Sequence, residues 1–246
     1  MKVGRQLLAD CDANAQCSAR MGAPAGQVYR RALARVEKEP QLLAAVPGGN
    51  LKQFFGNILD LPSAAAQLPW RIKDIDEGKA DWAQSLIAGA EKDMATLGSF
   101  PQSPPSMPLV MLISASENNL RPGRTEKEVL EEEAGLLFAS SIPGHLANPP
   151  QTLYQRDALF AQLPKRLPPM LVIHGDRDGK TPYDAALRHI ERLRKAGPVQ
   201  LYTASGVGHF VLWADQGCAR AEVTRFVLGN KAGERCVAPP KVASTH

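Results

Sequence analysis

Apolar residues in the first hundred positions recur at helical spacing. In residues Gln27–Lys38, apolar or small side chains return every three or four positions with arginines between them, and Pro40 follows. Residues Lys79–Leu97 repeat this pattern along one face. We therefore expect two amphipathic helices. The stretch Pro62–Ile75, which contains two prolines, is expected to form a loop.

Shorter apolar runs replace the helical spacing in the middle of the chain. Residues Phe100–Pro108 contain four prolines and two serines, which predicts a linker. The apolar run Leu109–Ile113 that follows it has the length of a buried strand. Beyond it we expect a helix over Glu126–Phe138 with a solvated acidic face, a loop over Pro143–Pro150 and a short helix over Leu153–Leu163.

The final third alternates between strand-like and helix-like segments. Met170–Ile173 and Val199–Thr203 are short apolar runs, each followed by an amphipathic segment, Tyr183–Ala196 and Cys218–Leu228 respectively. This alternation predicts an α/β arrangement with a parallel sheet that helices cover on both faces. In such sheets, functional groups collect in the loops at the carboxyl ends of the strands.

Composition and charge narrow the range of partners. The 246 residues are 44% hydrophobic, which suffices for a sizeable core in one α/β domain or one and a half. The net charge of +4 is spread along the chain, and only 6% of residues are aromatic, so we expect no nucleic-acid partner. No apolar stretch approaches the roughly 20 residues of a membrane span, and Met1–Asp10 lacks a signal peptide's apolar core. We therefore expect no membrane partner and no signal peptide in this chain.

The four cysteines fall into two close pairs, Cys11 with Cys17 and Cys218 with Cys236. Neither pair has the spacing of a zinc site, so we expect no metal site. Each pair is either a local disulfide or two ordinary thiols, and disulfides are the favoured interpretation. Two disulfides would place the mature protein in an oxidising compartment, although this N-terminus provides no export signal. This conflict favours a longer protein with additional upstream sequence.

Two polar loops follow the predicted strands of the final third. The first, His174–Pro182, reads H-G-D-R-D-G-K-T-P and offers Asp176 and Asp178 as candidate acids. The second, Gly206–Phe210, reads G-V-G-H-F and carries His209. An acid followed by a histidine is the chain order of α/β serine hydrolases, in which a carboxylate orients the imidazole that removes the proton of serine. His174, the first residue of the first loop, is expected to pack against its neighbours or to form a hydrogen bond.

The serine that would complete such a triad has no counterpart in the sequence. It should lie on a strained turn written G-x-S-x-G, and no such turn occurs upstream of Asp178. Ser114 and Ser116 follow an apolar run, but Leu112 and Asn118 occupy positions where that turn needs small residues. We therefore expect the nucleophile to be encoded outside these residues.

Several short segments together resemble one family of enzymes. They are D-C-D-A-N-A-Q-C at Asp10–Cys17, L-V-I-H-G-D-R-D-G-K-T-P at Leu171–Pro182, G-V-G-H at Gly206–His209, G-C-A at Gly217–Ala219, and Cys236. From about Asp10 to Val237, the chain resembles the C-terminal half of secreted α/β-hydrolases related to tripeptidyl aminopeptidases and proline iminopeptidases. The resemblance is dense after residue 168 and diffuse before it.

The resemblance implies the C-terminal part of an α/β-hydrolase fold over residues 109–246, preceded by a mostly helical cap or lid over residues 1–108. It implies Asp178 as the triad acid, because the family uses the position before x-x-T-P, and His209 as the general base. It also supports disulfides within both cysteine pairs and an extracytoplasmic or secreted full-length protein. No cofactor is expected.

Glu117 is a further candidate, for binding the amine of a substrate. The family typically carries a cysteine and an acidic pair in this stretch, and Glu117 followed by Asn118 departs from that pattern in part.

The resemblance leads to one main hypothesis and two alternatives. The main hypothesis is a serine hydrolase that acts on peptides, or on small esters, and releases N-terminal residues. Its serine would belong to a missing N-terminal half, which is then a partner of this chain. The first alternative is a catalytically inactive remnant or binding module of the same fold. The second is an esterase with an unrecognised nucleophile.

Overall fold

The computed structural model describes residues 2–98, 106–119, 121–149, 152–215 and 217–229. The chain divides into two compact units. The first comprises Met1–Leu59 and Ser63–Gln162, and the second comprises Asp60–Pro62 and Leu163–His246. Apart from the short segment Asp60–Pro62, the chain passes from the first unit to the second after Gln162.

The described part of the first unit is helical. Its helices are α1 (Lys2–Ala13), α2 (Ala15–Met21), α3 (Ala25–Lys38), α4 (Leu51–Ile58), α5 (Pro62–Ala65), α6 (Leu68–Asp76), α7 (Trp82–Gly98), α8 (Met107–Ile113), α9 (Glu126–Ala134) and α10 (Ile142–Ala147). The first residue of α5, Pro62, is assigned to the second unit. The two helices predicted from amphipathic spacing, over Gln27–Lys38 and Lys79–Leu97, are confirmed as α3 and α7.

A buried aromatic cluster holds the helices of the first unit together. The ring of Tyr29 on α3 lies 5.6 Å from that of Phe55 and 5.0 Å from that of Phe138, measured between centroids. Phe55 meets Trp82 edge to face at 5.7 Å, and the Trp82 indole N–H donates to the carbonyl of Leu42 at 2.9 Å. These contacts explain the helices, since short helices owe their stability mainly to the packing of an apolar face.

The strand predicted over Leu109–Ile113 is wrong, because these residues belong to helix α8. A short apolar run does not distinguish a strand from a helix by periodicity alone. Pro108 lies in the first turn of α8, where its missing N–H costs nothing. Of the predicted linker Phe100–Pro108, residues 100–105 lie outside the described residues, and Met107 and Pro108 begin the helix.

Three further segments differ from the sequence-based expectations. The predicted loop Pro62–Ile75 contains α5 and α6, since proline is tolerated in the first turn of a helix. Part of the predicted loop Pro143–Pro150 is helix α10. The predicted helix over Leu153–Leu163 is absent from the described residues 152–163, which form an irregular segment with one turn.

The helix expected over Glu126–Phe138 is present as α9 but ends at Ala134. Its start is fixed by a capping box in which Thr125 and Glu128 exchange hydrogen bonds.

Cys11 and Cys17 form a disulfide that joins α1 to α2, which confirms the first predicted pair. Both cysteines are buried. Cys236, the predicted partner of Cys218, lies outside the described residues.

We expect replacement of both Cys11 and Cys17 by serine to lower the free energy of unfolding by about 2 kcal/mol, because the cross-link restricts a short loop of the unfolded chain. Urea unfolding of the oxidised wild type and the double variant measures this difference. A variant as stable as the wild type would show that the disulfide contributes nothing.

The second unit contains the parallel strands predicted from the final third. Strand β1 (Met170–Gly175) pairs with β2 (Val199–Ala204) in a register that runs from Met170 opposite Val199 to Gly175 opposite Ala204. Helix α11 (Tyr183–Leu193) connects the strands, and α12 (Val211–Ala214) and α13 (Cys218–Val227) follow β2. These elements confirm both predicted strands and both predicted helices.

The core of the second unit lies between its sheet and its C-terminal helices. It contains Tyr202, Ala204, Val207, Val211, Cys218 and Ala219, with Leu171 and Ile173 of β1 packed against them. Within the described residues the sheet has two strands, so the structure shows a small parallel sheet with flanking helices and not a complete α/β-hydrolase sheet. No helix in the described parts of the chain is long and apolar enough to cross a membrane.

Candidate active site

The acid loop and the histidine loop begin side by side because β1 and β2 end opposite each other. Gly175 pairs with Ala204 at the last position of the register. Beyond it, the Asp176 N–H donates to the carbonyl of Ala204 at 3.2 Å, and the Arg177 N–H donates to that of Val207 at 2.9 Å. The two loops are therefore joined through their backbones before either reaches its functional side chain.

The carboxylate of Asp178 is buried and surrounded by donors. Its Oδ1 accepts the N–H groups of Lys180 and Thr181, each at 2.8 Å, and its Oδ2 accepts the hydroxyl of Thr181 at 2.6 Å. When an aspartate side chain accepts the backbone N–H two residues further on, the two groups close an Asx-turn. The sequence D-G-K-T-P therefore holds the Asp178 carboxylate in place through its own backbone. Pro182 then leads into α11.

His209 faces the remaining side of this carboxylate. Its Nδ1 lies 2.9 Å from Asp178 Oδ2, and its side chain is 34% exposed, whereas that of Asp178 is 4% exposed. Since the carboxylate only accepts, Nδ1 carries the proton of this bond and the neutral ring has its free electron pair on Nε2. Among the described residues, no hydroxyl or thiol is hydrogen-bonded to Nε2.

The two groups shift each other's pKa in opposite directions. For Asp178, burial raises the pKa, but hydrogen bonds from His209 and Thr181 outweigh burial and lower it to about 2. For His209, the hydrogen bond to Asp178 raises the pKa above its ordinary value, against the opposing effects of burial and Lys180. The site therefore stabilises the imidazolium that forms when Nε2 takes up a proton.

We expect the free energy of unfolding to decrease as the pH falls from 3.8 toward about 2, the interval between the ordinary and the folded pKa of Asp178. Above this interval the lowered pKa contributes about 2 kcal/mol, which is lost when the carboxylate becomes protonated. The raised pKa of His209 changes stability in the opposite direction with pH: its contribution to the free energy of unfolding is lost as the pH rises through the pKa of the folded state. Urea unfolding of the wild type and Asp178→Asn at both ends of the acid interval measures the first effect. An equal loss in both proteins would contradict it.

Asp176, the competing acid, has a different role in the structure. Its carboxylate accepts the N–H of Gly206 at 2.7 Å and the hydroxyl of Ser205 at 3.2 Å, so it binds the turn that opens the histidine loop. The structure thus brings Asp178, and not Asp176, against the imidazole of His209.

His174 is a second imidazole close to the same carboxylate. Its Nε2 lies 3.9 Å from Asp178 Oδ2 and 3.5 Å from the Thr181 hydroxyl oxygen. Its ring packs against that of Tyr183 at 5.6 Å. His174 thus packs and makes polar contacts, as its position predicts, and it also lies close to Asp178, which the sequence does not indicate.

Asp60 is the group that sequence reasoning missed. Its side chain is buried in the second unit, and its Oδ1 accepts the N–H of Gly179, 119 positions away, at 3.1 Å. No motif surrounds Asp60, so only the folded chain reveals it.

Glu117 lies in the first unit, in the π-helical turn Ser114–Asn118 that follows α8. The hydroxyl of Tyr154 donates to its carboxylate. Arg156 donates to the backbone carbonyl of Ser116 at 2.8 Å and so braces the turn. Because this turn follows a helix, its serines are not on a strand-to-helix elbow. The role of Glu117 in binding an amine stays a prediction.

No group of three or more histidine, cysteine, aspartate or glutamate residues that could hold a metal ion occurs in the described ranges.

An acid–imidazole pair at the carboxyl ends of adjacent parallel strands is an arrangement that α/β-hydrolases use. Residues 149–236 match the α/β-hydrolase family model described as TAP-like protein, a segment that includes Asp178 and His209. This match relates the chain to the α/β-hydrolases over that segment. No curated protein and no solved structure matches the chain.

Proposed function

We propose that this chain supplies the acid, Asp178, and the general base, His209, of a serine hydrolase that releases N-terminal residues from peptides. The observation that carries the proposal is the 2.9 Å contact between His209 Nδ1 and the buried Asp178 carboxylate, on a ring that is still 34% exposed. The match to the TAP-like family model supports the same class.

In the proposed reaction, His209 Nε2 takes the serine proton while the serine oxygen attacks the peptide carbonyl carbon. The imidazolium then gives this proton to the leaving amine, and an acyl-enzyme forms. Water attacks the acyl group with His209 again as the base, and the proton returns to the serine. Asp178 holds the Nδ1–H tautomer and stabilises the imidazolium in both steps.

The nucleophile of the proposed enzyme lies outside these residues. The sequence contains no G-x-S-x-G turn, which supports this part of the proposal. The sheet supports it as well, since parallel sheets are normally buried on both faces, whereas five of the six β1 residues are partly exposed. Further strands from an N-terminal half of the same hydrolase would extend the sheet, and the helices that connect them would cover these residues.

The proposed substrate is a peptide with a free amino terminus, and Glu117 is the proposed carboxylate for that amine. The proposed location is outside the cytoplasm, and the Cys11–Cys17 disulfide supports it, because disulfides persist in oxidising compartments.

Two measurements test this proposal. The DNA upstream of the Met1 codon, read with its transcript, should extend the reading frame through a G-x-S-x-G turn. The 246-residue chain alone should take up no fluorophosphonate, since it lacks the reactive serine. An in-frame stop close upstream would overturn the proposal.

The alternative of an inactive remnant or binding module is favoured by one observation, the lack of a nucleophile turn in the sequence. An upstream stop together with no labelling would support it. Labelling of a serine within this chain would instead support the esterase alternative.

A further inference from the structure

The carboxyl group of Asp60 has a buried oxygen that its surroundings do not satisfy. The residue is 3% exposed, and its Oδ1 accepts the N–H of Gly179 at 3.1 Å. Its Oδ2 is buried and has no hydrogen-bond partner in the described part of the chain. Burying a carboxyl oxygen without a hydrogen-bond donor costs folding free energy, so packing alone does not explain an aspartate at position 60.

Asp60 contacts both loops of the candidate active site at the positions next to the acid and the base. Gly179, which it binds, directly follows Asp178. Gly208 directly precedes His209, and a Cβ atom added to Gly208 would lie 3.3 Å from Asp60 Cα and 3.4 Å from its Oδ1. The absence of a side chain at Gly208 therefore allows the histidine loop to approach Asp60 closely.

We propose that Asp60 is a positioning residue that holds the acid loop and the histidine loop at the spacing required by the Asp178–His209 hydrogen bond. Its Oδ1 fixes the acid loop through the Gly179 N–H, and its main chain supports the histidine loop at Gly208. The catalytic use of the pair rests on the proposed function, but the positioning role rests on these contacts.

The charge of Asp60 also affects the pKa of His209. Burial raises the pKa of Asp60, the Gly179 hydrogen bond and the charges of Lys180 and His209 lower it, and Asp178 raises it. The charged groups that act on His209 are Asp178 and Asp60, which favour the imidazolium, and Lys180, which opposes it. His174 faces the same Asp178 carboxylate.

Two substitutions separate the contact of Asp60 from its charge. Asp60→Asn keeps an oxygen that accepts the Gly179 N–H but carries no charge, whereas Asp60→Ala removes both. Glu222→Gln is a matched control, because Glu222 is 4% exposed, belongs to the same unit and pairs with Arg225 instead. Asp178→Asn is the positive control that removes the partner of His209.

The test is an NMR titration of the His209 ring in the 246-residue chain, with the resonance assigned by its loss in His209→Ala. We expect Asp60→Ala to lower the His209 pKa by about half a unit or more. Asp60→Asn should lower it by less, because the charge is lost but the contact with Gly179 remains, and Glu222→Gln should leave it unchanged. The inference is overturned if Asp60→Ala titrates like the wild type while Asp178→Asn does not. It is also overturned if Asp60→Asn lowers the His209 pKa as much as Asp60→Ala, because the charge alone would then account for the shift.

If Asp60→Ala does not fold, Gly208→Ala replaces it in the titration, since the added methyl group pushes against Asp60. A lowered His209 pKa in this variant supports the inference, and an unchanged pKa overturns it. Failure of the proposed function is a separate result, because absence of hydrolysis or of an upstream serine leaves these titrations unaffected.

Discussion

Gly175→Ala is expected to lower the free energy of unfolding by about 3 kcal/mol and to separate the acid from the histidine. A Cβ atom at Gly175 would lie 2.2 Å from the carbonyl oxygen of Val207 and 2.4 Å from that of Gly208. These contacts are with backbone, which cannot rotate away as a flexible side chain can. The displaced backbone leads directly into His209, so stability and the His209–Asp178 contact should be lost together.

Urea unfolding measures the stability change, and hydrogen exchange of the β1 and β2 amides locates it in the second unit. Gly217→Ala is a matched control in the same unit, because a Cβ atom there meets nothing within 4 Å. We expect the control to change stability by less than about 1 kcal/mol. Equal effects of the two substitutions would show that the close approach of the loops at Gly175 is not important.

Asp178→Asn should have the largest effect on the chemistry of the site. Without the carboxylate, burial and Lys180 lower the pKa of His209 with only Asp60 opposing them. We therefore expect the His209 pKa to fall by about one unit or more. In the assembled hydrolase, we expect kcat to fall by about 10³- to 10⁴-fold, as for other triads that lose this carboxylate.

Asp176→Asn is the matched control for this substitution, since Asp176 binds Gly206 and Ser205 and not the imidazole. We expect it to leave the His209 pKa within about 0.2 units of the wild type. NMR titration of both variants makes the comparison. A larger shift from Asp176→Asn than from Asp178→Asn would reverse the assignment of the acid.

The second unit could be predicted well because its signals are local. The apolar runs of β1 and β2 are separated by a strongly amphipathic helix, which leaves a parallel pair as the natural arrangement. That arrangement brings the carboxyl ends of both strands together, so Asp178 and His209 could be placed near each other from the sequence. The turn D-G-K-T-P also fixes its own carboxylate through neighbouring N–H groups.

The features that escaped prediction depend on tertiary contacts. Asp60 meets Gly179 across 119 positions, and nothing in its neighbouring sequence indicates a buried acid. The run Leu109–Ile113 is equally compatible with a strand and with a helix, and the structure has a helix with Leu109 more than half exposed. The two prolines of Pro62–Ile75 lie at the starts of α5 and α6, where proline is tolerated, so they are equally compatible with a loop and with the beginnings of two helices.

The proposed acid–base pair is tested most directly by peptide hydrolysis with the longest natural protein that contains these 246 residues. Tripeptidyl and aminoacyl anilides would serve as substrates, and the natural protein would be compared with its His209→Ala variant. The account predicts release of the aniline by the natural protein and a loss of at least about 10³-fold in kcat for His209→Ala, with unchanged thermal unfolding. An unchanged rate in His209→Ala, or no hydrolysis by the natural protein, would contradict the account.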